Sequence, residues 1–179
     1  MHSFKHTLCL IAVLLLAFAC SKNDKEEITP EEDAEEKIVN ASFTVVGEEN
    51  IQKEGKATYF LTQIQDTPLV IGIDDGGQGD RSFSLNMYFM SEEKTYPEPG
   101  EYVIGEEGDP DADFYVIYIE YVSGGDNRGY KSPASGTIII DQVSASQIKG
   151  TFNFEAGAMD NSGRNVKVEN GVFDAFSLS

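Results

Sequence analysis

Tryptophan is absent from this chain of 179 residues, and histidine and cysteine occur only twice each. Both histidines, His2 and His6, and one cysteine, Cys9, fall within the first ten residues; the other cysteine is Cys20. Beyond Cys20 the chain therefore offers no imidazole and no thiol. Ser-His-Asp and Cys-His relays have no base there, and the usual zinc and non-haem iron sites lose their ligands. Once the N-terminal segment is cut away, a single thiol is left and no disulfide can close within one chain. Basic side chains are scarce as well, 13 Lys and Arg against 31 Asp and Glu, for a formal net charge of −18. Such a surface repels phosphate backbones, so nucleic acid is not an expected partner. A phosphate-cradling loop is also lacking. The stretch "GIDDGGQG" has neither the Lys-Ser/Thr pair nor a helix pattern behind it.

What is present begins with an apolar run, "LCLIAVLLLAFA" (8–19), preceded by Lys5 and His6 and followed at once by Cys20 and "SKNDKEE". Twelve apolar residues are too few for a permanent bilayer span, and small Ala17 and Ala19 stand where a signal peptidase cuts. The pattern resembles a bacterial lipobox, with Ala17 where Leu is commoner. The resemblance implies a signal peptide over 1–19 and diacylglycerol on the Cys20 thiol, with further acyl chains such as palmitate. Each buried CH₂ of those chains would contribute about 0.8 kcal/mol to anchoring. An ordinary secretory signal with an incidental Cys20, or a buried N-terminal helix, is the alternative.

Residues 20–37 read as a tether. The seventeen after Cys20, "SKNDKEEITPEEDAEEK", hold eight acidic and three basic side chains and one large apolar residue, Ile28. That is too little apolar surface to offset the entropy of ordering. The start of the segment resembles the surface-export signal of Bacteroidota lipoproteins, with Lys22, Asp24 and Glu26 matching and Asn23 and Lys25 departing. A solvated linker facing the periplasm is the other reading. The expected location is the outer membrane, lipid-anchored, facing either the periplasm or the cell exterior.

From residue 38 to 179 the apolar period becomes two. Ala41, Phe43 and Val45 alternate with polar residues, as do Phe83, Leu85, Met87 and Phe89, and later Ile148, Phe152, Phe154 and Ala156. This is the pattern of strands with one face on a core. "FYVIYIEYV" (114–122) is apolar or aromatic on both faces and belongs at the centre of a sheet or lining an interior. Turn-forming runs separate the segments: "DDGGQGD" (74–80), "EEGDPDAD" (106–113), "SGGDNRG" (123–129) and "DNSG" (160–163). No window after 38 has a helical stripe. The expected fold is all-β, an antiparallel sandwich or up-and-down barrel of about eight to ten strands. Asn170-Gly171 is either a two-residue hairpin turn or a bulge within one long final strand.

"PGEYVIG", "SGTIIIDQVSASQIKGTFNFEA" and "VKVENGVFDAF" occur in that order between 98 and 176. They resemble an uncharacterised domain family common in Bacteroidota lipoproteins, which strings together similar "G-x-Y-x-(I/L)-G", "SGT", "I-x-GTF-x-F" and "NG-x-F" strands. The resemblance spans about 82–179. It implies an all-β fold and no activity.

One metal candidate stands out. Asp109, Asp111 and Asp113 alternate in the spacing with which calcium loops place oxygen ligands, with Glu106 or Glu107 nearby. An EF-hand is excluded, because Phe114 occupies the position of the obligatory Gly and a strand follows. Asp74, Asp75 and Asp80 form a weaker acidic set, and a solvated acidic loop is the alternative for both. No cofactor besides Ca²⁺ is suggested. Tyr88, Tyr96, Tyr102, Tyr115, Tyr118, Tyr121 and Tyr130 can serve as sheet core or as a ligand-facing surface. The expected function is a non-enzymatic binding or interaction module on a lipid anchor, with a protein or glycan partner at the envelope. A structural subunit of an envelope complex is the second reading. The third is a hydrolase built on two carboxylates, which needs neither His nor Cys.

Overall fold

Among the described residues nine strands follow one another, each cut off by the turn residues that the sequence displays. The structure, a computed structural model, describes residues 38–178 except 48, 65, 78–81, 123 and 126. The expected signal peptide and tether, with Cys20, lie outside the described residues. The strands are β1 (Ala41–Val46), β2 (Ile51–Ile64), β3 (Thr67–Asp74), β4 (Phe83–Phe89), β5 (Gly100–Gly105), β6 (Phe114–Glu120), β7 (Arg128–Val143), β8 (Gln147–Ala158) and β9 (Asn165–Ser177). No helix occurs among the described residues.

The strands form a single closed barrel in the order β1-β2-β3-β4-β6-β5-β7-β8-β9, with β9 pairing back onto β1. Closure leaves no open sheet edge for another chain to extend. Of the two architectures expected, the barrel is therefore the one adopted. Its winding departs from strict up-and-down order at one place, where β5 and β6 exchange positions and run parallel through Ile104↔Phe114 and Gly105↔Tyr115. The long β7 makes this possible. Its first residues pair with β6, Tyr118↔Tyr130, and its later ones pair with β5, Ile104↔Gly136. Pro133, which has no N–H to give a ladder, lies between the two stretches, and β5 wedges in where β7 parts from β6.

The barrel interior is packed with the alternating apolar residues. Phe43, Tyr59, Leu69, Ile71, Ile73, Leu85, Met87, Ile104, Phe114, Tyr118, Ile138 and Phe154 are all fully buried. Phe43 sits at the centre of an aromatic cluster, edge-on to Phe83 at 5.0 Å and to Tyr118 at 6.0 Å, and tilted against Phe152 at 5.9 Å. Such geometries add about 0.5–1.5 kcal/mol per pair beyond the area they bury. β6 is buried on both faces, as "FYVIYIE" implies: Phe114, Val116 and Tyr118 point inward while Tyr115 is covered outside by Tyr88, ring on ring at 4.4 Å.

Two devices set register. Asn170, at φ 54°, is an extra residue in β9: Phe154 pairs with Val168, but Phe152 pairs with Gly171. Asn170-Gly171 is thus a bulge, and β9 continues as one strand through it. At the other end of the sheet, β1 begins in a fork between β2 and β9, which close directly on each other beyond it through Thr58↔Phe176 and Tyr59↔Ser177. Asn40 fills the fork. Its amide donates to the carbonyls of Ala57 (3.1 Å) and Asp174 (2.7 Å) and accepts from the Ala57 N–H (2.5 Å).

Candidate functional site

Among the described residues Lys53, Thr67 and Ser82 are the buried polar side chains, and Lys53 is the charged one. Lys53, on β2, is buried and lies 3.9 Å from the Glu120 carboxylate, with its ammonium 5.6 Å from the Phe83 ring centre. The Tyr118 hydroxyl donates to the same Glu120 oxygen at 2.9 Å. Burial, and next the Glu120 charge, push the Tyr118 phenol far above its usual range. This is a satisfied buried ion pair at one mouth of the barrel, and it pins β2 to β6.

The calcium set does not assemble. Asp109 accepts the Asp111 N–H at 3.0 Å, and Asp113 accepts the Val103 N–H at 2.9 Å while its own N–H donates to the Val103 carbonyl at 2.9 Å. Two of the three carboxylates thus cap the tight return from β5 to β6 instead of converging. Among the described residues no group of three or more His, Cys, Asp or Glu is placed to hold a metal ion. In the weaker set, Asp74 and Asp75 cap the N–H groups of Gly76 and Gly77 in the same way, at 2.9 and 3.1 Å, and Asp80 lies outside the described residues.

The tyrosines divide as the two faces predict. Tyr118 and Tyr130 are interior, and Tyr88 and Tyr115 stack outside with Lys131 over the Tyr115 ring at 5.5 Å. Burial pushes the Tyr115 phenol up to about 12. Tyr102 closes the turn in "PEPGEY", accepting from the Glu98 N–H at 2.8 Å and donating to its carbonyl at 2.7 Å.

What the pattern of the sequence concealed is a trough on the outer wall. Two adjoining depressions, of about 510 and about 380 Å³, run along β7, β8 and β9 and share Asn153 and Asn170. Polar groups line them: Ser135 and Thr137 on β7, Thr151, Asn153 and Glu155 on β8, and Lys167, Glu169 and Asn170 on β9. Asn153 donates to the Thr137 hydroxyl at 2.8 Å. Lys167 bridges Glu169 at 2.8 Å and Glu155 at 3.8 Å, and the hydrogen bond to Glu169 holds its ammonium charged above the usual range. The wall is drawn in toward the core beneath the trough. A Cβ on Gly171 would stand 2.6 Å from the Phe152 ring, and one on Gly136 2.7 Å from Phe154 Cα. In sequence these polar residues are the outward half of "GTFNFE" and "VKVENG", indistinguishable from any wetted strand face. The one available signal was Asn170-Gly171, a bulge in a long strand.

The trough, and the β2 and β9 partners of Asn40, lie within a region recognised across proteins. Residues 56–176 match the model of a domain of unknown function, DUF6252. The chain belongs to this family. The DUF6252 region takes in β3 and most of β2, ahead of the motifs that first suggested an uncharacterised domain, and so spans nearly the whole barrel. No curated protein and no solved structure matches the chain.

Proposed function

We propose that this DUF6252 protein is a lipid-anchored envelope protein, held at the outer membrane through Cys20, whose barrel is a binding module working from its outer wall. The observation that carries the reading is the contrast between the two sides of the sheet. Among the described residues the interior is occupied by buried apolar side chains, which favours the outer wall over a lumen as the binding surface. The trough, by comparison, offers amide, hydroxyl, ammonium and carboxylate groups over two joined depressions. It mixes donors with acceptors and suits an extended polar ligand, an unfolded peptide segment or a glycan strand, lying along β8. The structural-subunit reading draws on the same packed interior and differs in requiring a fixed protein partner. The carboxylate-hydrolase reading has less support, because the two trough carboxylates, Glu155 and Glu169, both pair with Lys167.

A photo-crosslinking residue placed at Asn153 in intact cells tests the binding reading. Adducts at Asn153, absent when the probe stands at Asn86 on the outer face of β4, support a trough ligand. Equal labelling at both positions, or none, contradicts it. One protein recovered in fixed proportion favours the structural subunit. Mass spectrometry of the mature N-terminus checks the anchor, and an unacylated Cys20 overturns it. Protease accessibility of intact cells decides which way the barrel faces.

A further inference from the structure

One-quarter of the chain is charged, yet four segments that meet at one corner of the fork end of the barrel carry no charged side chain, the Lys149–Asp174 pair standing just beside them. The segments are 38–41, 58–64, 143–148 and 175–178, reading "IVNA", "TYFLTQI", "VSASQI" and "AFSL". The contacts between them are direct. The Tyr59 hydroxyl donates to the Ala145 carbonyl at 2.7 Å, the Leu178 N–H to the Tyr59 carbonyl at 2.9 Å, and the Ser177 N–H to the Ser146 carbonyl at 3.2 Å. The corner is also where large apolar side chains stand uncovered: Phe60 is 39% exposed, Leu61 50%, Ile64 60%, Phe176 46% and Leu178 55%. Thr58↔Phe176 pairing sets Phe60 next to Leu178 on the outer face.

A contiguous uncovered apolar surface on a folded domain marks an interaction site. The course of the chain says which partner this one meets. Residues before Ile38 join the barrel at this corner, through exposed Ile38 and Val39 and the Asn40 fork. Only seventeen residues separate Cys20 from Ile38. At about 3.6 Å per residue, that segment spans at most roughly 60 Å when fully extended. An acylated Cys20 would thus tether the barrel beside these uncharged, apolar segments. On a protein of net charge −18, an acidic face would be repelled by a membrane, whereas this corner is not.

We propose that this corner is the membrane-facing surface, with Phe60, Leu61, Ile64, Phe176 and Leu178 seated in the headgroup region of the bilayer that holds Cys20. The inference rests on the lipid-anchor reading above. It fixes an orientation: the β1–β2 turn, at the opposite end of the barrel, points away from the bilayer, and the trough stands on the side wall.

The absence of tryptophan gives a clean test. The full lipidated chain carrying Phe60→Trp, Phe176→Trp or, at the far end, Asn50→Trp is reconstituted in phosphatidylethanolamine–phosphatidylcholine vesicles with brominated acyl chains. Flotation of the lipidated chain, compared with Cys20→Ser, tests the anchor separately. The expected result is flotation that depends on Cys20, with emission falling about twofold or more for Phe60→Trp and Phe176→Trp and unchanged for Asn50→Trp. Flotation without quenching at Phe60→Trp and Phe176→Trp, or with equal quenching at Asn50→Trp, overturns this orientation and leaves the anchor standing. Failure to float overturns the anchor and the orientation together. A blue shift of Phe60→Trp emission that grows with protein concentration in the absence of vesicles makes the corner a contact between copies of the chain, which also overturns the proposal.

Discussion

Tyr118 is a phenol placed where its anion cannot form. Its ring is buried against Phe43, and its hydroxyl donates to Glu120, an acceptor that a phenolate would repel. Its pKa in the folded chain lies far above the value of about 10 that an unfolded tyrosine has. The sign follows by linkage. Below about pH 10 both states keep the proton and the contribution to stability is complete. Above it the unfolded chain ionises while the folded one does not, and stability falls by about 1.4 kcal/mol per pH unit for this one group. Tyr115, at about 12, and Tyr88 and Tyr130, both raised, act in the same direction. Tyr118→Phe should therefore cost about 1.5–3 kcal/mol at pH 7, the worth of one hydrogen bond to a charged group, and make the alkaline limb of the Tm–pH curve shallower. A parallel shift of the whole curve, with the alkaline slope unchanged, would contradict this account.

At the scale of the element, strand identity was legible and strand partnership was not. The two-residue period of "SFSLNMYF" and "IKGTFNFEA" names the inward side chains, and all of Phe83, Leu85, Met87, Phe89, Ile148, Phe152, Phe154 and Ala156 are buried. Pairing depends instead on residues distant in sequence. Nothing local to "EYVIG" shows that β5 lies between β6 and β7, and nothing in "IVNAS" shows that Asn40 ties β2 to β9. The trough was hidden for the same reason, since its polar residues come together only when three strands align. The bulge was half visible, because Asn-Gly fits a hairpin turn and a left-handed bulge equally well. Its two residues now separate by role. Asn170 needs only a positive φ, so Asn170→Gly should change stability little, whereas Gly171→Ala drives a methyl into the Phe152 ring and should cost about 1–3 kcal/mol. The fork makes a second demand. Asn40→Ala removes three hydrogen bonds that join β2, β1 and β9, with an expected loss of roughly 1.5–4 kcal/mol by chemical denaturation. Asn40→Asp should do no better, since a carboxylate cannot donate to the two carbonyls. Recovery of wild-type stability by Asn40→Asp would show that the fork does not depend on those donors.

For the whole molecule, charge is the quantity that no single contact explains. Among the described residues, seven ion pairs join Lys or Arg to Asp or Glu, six of them on the surface, where each contributes little. Residues 38–179 nevertheless hold 23 acidic against 9 basic side chains, and compaction of the barrel brings those charges together. Self-repulsion of this kind acts over several ångströms and is screened once the Debye length falls to about 8 Å near physiological ionic strength. Stability at pH 7 should therefore rise as salt is added, with Tm climbing steeply up to roughly 0.15 M and flattening beyond. The surface ion pairs act in the opposite direction, because salt weakens attraction as well as repulsion, so the sign reports which prevails. With 23 acidic groups against 9 basic ones in residues 38–179, repulsion should win. The same titration tests the acidic loops without a separate assay. If Asp109, Asp111 and Asp113 only cap the turn, CaCl₂ and NaCl at equal ionic strength should raise Tm along one smooth curve. A saturable increment specific to Ca²⁺ would mean that the loop reorganises to bind it, and a Tm that falls with added NaCl would put the surface ion pairs ahead of the net charge.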